Sequence, residues 1–232
     1  MFNQLFALFI SIVMATSISG TTLNVNGCRD SFKRYNVFEF LKSNFPGNFY
    51  LLQETHSLPS EESRWELVWR GMGLFSHGST NSAGVAILFA PKSNVSVLSQ
   101  CELMPGHLLH AHVKINDYPI HIVNVYAPSN GLERMDCFER LKRHIKNLND
   151  DPLIIGGDFN CTINPELDRN GGRESDMRTS HFLNNILQRF KLSDAWRQRL
   201  GMTLTTLGGE GILWCGWIDF TSVSTCATIL KL

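Results

Sequence analysis

Four apolar runs in this chain end in the same way. SISGTTLNVNG (17–27) runs out on Asn24 and Asn26 before Gly27, FYLLQET (49–55) on Glu54, IHIVNVYAP (120–128) on Tyr126 before Pro128, and PLIIGGDFN (152–160) on Asp158 and Asn160. Each run carries a β-rich segment up to an amide, a carboxylate or a phenol at the point where a buried strand must emerge. Packed strands can bring such ends to one rim. Gly156 and Gly157 let the backbone turn sharply and approach a ligand closely. Asp158 and Asn160, two apart, point the same way if the chain stays extended.

The patterns around these runs predict strands over 19–25, 49–53, 84–89, 95–100, 108–115, 120–125 and 153–155. Asn116-Asp117-Tyr118-Pro119 reads as the turn of a hairpin. Helices are expected over 32–43, 132–148 and 176–190, the last with Phe182, Leu183, Ile186, Leu187 and Phe190 at helical spacing. Mostly antiparallel strands with interspersed helices point to an α/β four-layer sandwich, two mainly antiparallel sheets face to face with helices outside. At 232 residues one domain suffices, over 19–232, preceded by an apolar N-terminal extension, 1–18. The 43% hydrophobic and 18% charged content excludes a disordered chain.

Basic and acidic residues number 21 each, so nucleic-acid binding must use local patches rather than a global field. Six cysteines without a C-x-x-C pair exclude a zinc ribbon and a small disulfide scaffold, leaving reduced thiols. LFALFISIVMATSI (5–18) has the length of a signal-peptide core, but no Lys or Arg precedes it. An intracellular location is therefore expected, nuclear when the protein acts on DNA.

Two carboxylates, several amides and a phenol are hard oxygen donors suited to Mg²⁺ or Mn²⁺ rather than zinc, and a divalent ion ringed by hydrogen-bond donors suits phosphoryl chemistry. LNVNG (23–27), LLQETH (51–56), VNVYAP (123–128) and IIGGDFNCT (154–162), in this order, resemble the endonuclease/exonuclease/phosphatase superfamily. The wording is most similar to the apurinic-like endonuclease domain of non-LTR retrotransposons. The resemblance implies that Glu54 and Asn24 serve the metal and that Tyr126 contacts the scissile phosphate. It also implies that Asp158 orients or deprotonates the attacking water and that Asn160 stabilises the phosphate. It implies a DNA strand-nicking activity, with DNA as partner; a monomer with no stable protein partner is expected.

Further on, TLTTLGGEGILWCGWIDFTSVST (203–225) is similar to the family's late segment, with Asp219 in the place of the Asp that orients the catalytic histidine and Thr205 or Thr206 as the family threonine. Gly216-Trp217 stands where Ser-Arg is usual. The chain reaches Leu232 without the closing Ser-Asp-His, so a missing C-terminal strand and weakened activity are expected, loss of one preorganised group costing ~10²–10³ in rate. The alternatives are an inactive nuclease-like remnant that binds DNA or protein, and a phosphatase-branch member acting on phosphorylated small molecules or lipids.

Other features carry less. His110 and His112 share a strand face near His107, but no acidic or thiol partner lies close in sequence for a zinc site. Arg140, Lys142, Arg143 and Lys146 read as a solvated helix face. Arg169, Arg173 and Arg178 form a basic stretch with Arg173 as a candidate contact to the DNA backbone. Trp65, Trp69 and Trp196 are expected in or near the core.

Overall fold

The computed structural model describes residues 7–8, 18–79, 81–161, 174–194, 213–215 and 226–231. Asp219, Arg173, Arg169, Thr205, Thr206 and Trp196 lie outside the described residues. Among the described residues two sheets form.

The first sheet holds β1 (Ala7–Leu8), β2 (Gly20–Asn24), β3 (Phe49–Gln53), β4 (Gly73–Ser76) and β5 (Val85–Phe89), in the order β1-β2-β3-β5-β4. The second holds β6 (Val95–Met104), β7 (Leu108–Ile115), β8 (Tyr118–Tyr126), β9 (Leu153–Asp158), β10 (Ser193–Asp194), β11 (Leu213–Cys215) and β12 (Cys226–Lys231). Its order is β10-β12-β9-β8-β7-β6, with β11 also on β12. The helices are α1 (Ser31–Asn44), α2 (Glu62–Trp69), α3 (Gly131–Ile145) and α4 (Glu174–Arg189). None is long and apolar enough to cross a membrane.

Alternation along the strands sorts side chains into layers. Phe49, Leu51, Val85, Ile87, Leu109, Ala111, Val113, Ile120, Ile122 and Ile154 fill the space between the sheets. Tyr50, Leu52, Ala86 and Leu88 point the other way and pack with Phe38, Leu41, Trp65 and Trp69 of α1 and α2. Val123, Val125, Leu153 and Ile155 meet Phe138 and Leu141 of α3 and Leu183 and Ile186 of α4. The result is the expected helix–sheet–sheet–helix sandwich.

Local chemistry explains where elements begin. Asp30 caps α1 by accepting from Lys33 N at 2.7 Å, and Asn130 caps α3 by accepting from Leu132 N at 2.9 Å. At the β7–β8 hairpin Ile115 faces Tyr118 across a two-residue loop, with Asn116 and Asp117 at φ 50° and 70°. Positive φ at both positions is the turn whose twist matches the strands, and Asn and Asp tolerate it best. Trp65 and Trp69 are fully buried, as expected, and Trp69 Nε1 donates to Phe89 O at 2.6 Å.

Several elements differ from the sequence expectation, three of them for plain physical reasons. α2 and β4 are absent from it because eight and four residues are too few to show a period. β9 does not stop at Ile155 but runs through both glycines to Asp158, Gly156 facing Asn124 and Gly157 facing Val125. The glycines therefore serve close approach, not a bend. Gly157 has φ 138°, and a Cβ there would sit 1.9 Å from Val125 O.

Candidate active site

The layer between the sheets is apolar along most of its length and becomes polar at one end. Two parallel pairs cause this. β2 beside β3 aligns Asn24 with Gln53, and β8 beside β9 aligns Tyr126 with Asp158, so the C-terminal ends of four strands share one rim. Glu54 follows β3 directly and takes φ 52°, which swings its carboxylate across the rim.

Here Asn24, from the first sheet, meets residues from both. Its Nδ2 donates to Glu54 Oε1 at 2.9 Å and to Asp158 Oδ2 at 3.2 Å. The amide cannot be turned over without loss, because Asn24 Oδ1 accepts from Asn26 N at 3.0 Å. Tyr126 OH donates to the same Glu54 Oε1 at 2.8 Å. The structure thus brings together Asn24, Glu54, Tyr126, Asp158 and Asn160, and its Asn24–Asp158 contact spans 134 residues.

Asn160 is not extended from Asp158. Its φ is 47°, and its backbone N–H turns back to donate to Asp158 Oδ1 at 3.0 Å, an Asx-type turn. One N–H of its side-chain amide donates to Ala127 O at 2.7 Å, and an amide carries a second.

Electrostatics separate the two carboxylates. Glu54 is half-buried, while Asp158 is 1% exposed. Burial first, and the Glu54 charge in addition, push the Asp158 acid from 3.8 up to about 6 against hydrogen bonds from Asn160 and Asn24 that pull it down. Burial and the hydrogen bond to Glu54 push the Tyr126 phenol up, so it holds its proton. Glu54 Oε1 takes both donors, and a carboxylate with a second oxygen at a half-exposed rim is a hard donor of the kind a divalent ion such as Mg²⁺ takes. Asn24 presents its nitrogen, not its oxygen, to the carboxylates, which suits orienting them rather than ligating a cation.

Sequence reasoning missed the layer beneath. Gln53 Nε2 donates to Asn124 Oδ1 at 2.7 Å, and Asn124 Nδ2 donates to Leu52 O and Ala86 O at 2.9 and 2.8 Å, joining the sheets below Glu54 and Tyr126. The polar Asn124 in an otherwise apolar run was the available signal. His107 also belongs here rather than with a zinc site: its ring stacks on Tyr126 at 5.4 Å and Nδ1 pairs with Tyr126 O at 2.7 Å. Of the basic stretch, Arg178 lies exposed in α4.

Residues 21–225 match the model of the endonuclease/exonuclease/phosphatase family. A Transposon TX1 uncharacterized 149 kDa protein from Xenopus laevis is 40% identical over 189 residues, 80% of this chain, which spans only 14% of that relative. Among solved structures, the Xenopus laevis APE2 catalytic domain is similar with a TM-score of 0.61 at 16% identity, over 89% of this chain and 81% of that one. An AP endonuclease from Archaeoglobus fulgidus gives 0.56 at 19% identity, over 91% and 98%. With strand-end motifs, sandwich and family match in agreement, the chain belongs to the endonuclease/exonuclease/phosphatase family.

Proposed function

We propose that this chain is a divalent-metal-dependent phosphodiesterase that nicks one strand of DNA, in the manner of a retrotransposon endonuclease. The observation that carries the reading is the Asn24 amide held between the Glu54 and Asp158 carboxylates, with Tyr126 on Glu54. The likeness to a transposon protein favours DNA over small phosphorylated substrates.

Glu54 would hold Mg²⁺ or Mn²⁺, with Asn24 fixing its orientation. When bound, the ion supplies charge neutralisation at the phosphate. Asp158, with its acid at about 6, is ionised at neutral pH yet basic enough to take a proton from the attacking water. Tyr126, protonated and braced by His107, would turn its one O–H from Glu54 to a phosphate oxygen when substrate binds. The second N–H of Asn160 donates to the charge that develops on phosphate. Asp219, at the position whose carboxylate orients the family's histidine, and Arg173, as a contact to the DNA backbone, complete the proposal.

Nicking of supercoiled plasmid by purified protein tests it. Relaxation that requires Mg²⁺, stops with EDTA and is absent in Asp158→Ala supports the reading. Folded wild-type protein that binds DNA and Mg²⁺ but relaxes no plasmid assigns the chain instead to a binding module on a nuclease fold.

A further inference from the structure

We propose that His112, His121 and Asp151 form a zinc-class transition-metal site at the end of the second sheet opposite the candidate active site. One nitrogen or oxygen from each lies within 4.8 Å of the other two. The site is distinct from the Glu54 rim: His121 lies in the first half of β8 and Tyr126 closes it, about 17 Å apart at the rise of an extended strand.

The helix side of the second sheet is apolar near the rim, where Leu108, Val123 and Val125 pack on α3. Towards the other end the same face carries imidazoles. His110 and His112 come from β7, His121 from β8 and His144 from the last turn of α3. Register places His112 directly opposite His121, with rings stacked at 4.0 Å.

The first ring of ligands is already aimed. His112 Nε2 lies 2.8 Å from Asp151 Oδ2, and an ion would take the place of the proton shared there. His121 Nε2 faces Asn149 Oδ1, and Asn149 Nδ2 donates to the same Asp151 Oδ2 at 2.9 Å. Asp151 precedes β9 in a loop, so drawing its carboxylate to tetrahedral ligand spacing changes no strand pairing.

A supporting layer offers the tautomer a metal needs. Without an ion His121 Nε2 donates to Asn149 Oδ1; an ion taking the place of Asn149 would leave the His121 proton on Nδ1, 3.0 Å from His110 Nε2, the outer contact typical of ligating histidines. His144 packs edge-on against His110 at 4.5 Å, and its buried Nε2 has no hydrogen-bond partner. Two imidazoles and one carboxylate, with His112 and Asp151 partly open to water, match zinc-class ions with an exchangeable fourth position; Mg²⁺ prefers oxygen donors.

Titration of the metal-stripped full chain with Co²⁺, followed by displacement with Zn²⁺, tests the site in wild type, His112→Ala, Asp151→Asn and Glu54→Gln. The expected result is saturable tetrahedral Co²⁺ absorption that Zn²⁺ displaces, retained in Glu54→Gln and weakened more than about tenfold in the other two variants. Zn²⁺ should also raise the melting temperature of wild type and not of Asp151→Asn, whose partly exposed loop position keeps folding intact. Absence of saturable binding by wild type, binding untouched by both ligand variants, or binding lost only in Glu54→Gln overturns the proposal. None of these outcomes bears on the nicking assay.

Discussion

Asp158 sets stability against chemistry. Burial raises its acid from 3.8 to about 6, so between these values the folded chain keeps a proton that the unfolded chain has released. Folding is then favoured by acid in that window and penalised above it, by about 3 kcal/mol once the carboxylate is fully ionised. Asp158→Asn removes the charge and forfeits the Asn24 hydrogen bond, worth about 1 kcal/mol. The variant should abolish nicking yet be more stable than wild type by roughly 2 kcal/mol at about pH 8, the gap closing as pH falls through about 6. Thermal melts across pH read this directly, and a variant that melts below wild type at about pH 8 contradicts it. The residues at this rim were legible in sequence as strand ends. Their partners were not, since Asn24 and Asp158 approach only through the packing of two sheets.

Among elements, β3, β5 and β8 are tied by Asn124, whose side chain satisfies Gln53 Nε2, Leu52 O and Ala86 O at once. Asn124→Ala removes three hydrogen bonds in a dry layer, Gln53 Nε2 keeping only its bond to Thr22 Oγ1 at 3.1 Å, and a loss of about 3 kcal/mol follows at about 1 kcal/mol per bond. The urea midpoint should fall with the slope unchanged, and nicking should fall too because Glu54 and Tyr126 flank the tie. An Asn124→Ala midpoint equal to wild type would remove Asn124 as a tie. The hairpin and helices α1 and α3 could be read from sequence because turn residues and periods act within a few positions. α2 could not: two tryptophans four apart become a buried stripe only against Phe38 and Tyr50, with ring centroids at 5.0 and 4.9 Å from Trp69.

For the whole molecule, the imidazole cluster and the rim carboxylate respond oppositely to acid. Burial first, then neighbouring imidazoles, hold His110 down at about 3, and burial also lowers His121 and His144. A lowered base takes its proton only on unfolding, so each contributes stability that is lost as pH falls from about 6.5. Three such groups outweigh the single gain at Asp158, and the melting temperature should decline on acidification from neutral pH. A rise over the same range would show Asp158 dominant. The cluster itself was half legible: the Asn116-Asp117 turn fixes His112 opposite His121, whereas Asp151 and His144 arrive from the loop before β9 and from α3. By itself the sequence determined what neighbours along the chain dictate: turn, helix periods, strand runs and the polar group at each strand end. Tertiary structure alone decided that Gly156 and Gly157 continue a strand, which polar ends share hydrogen bonds, and where imidazoles gather, because these depend on sheet packing and register between distant segments.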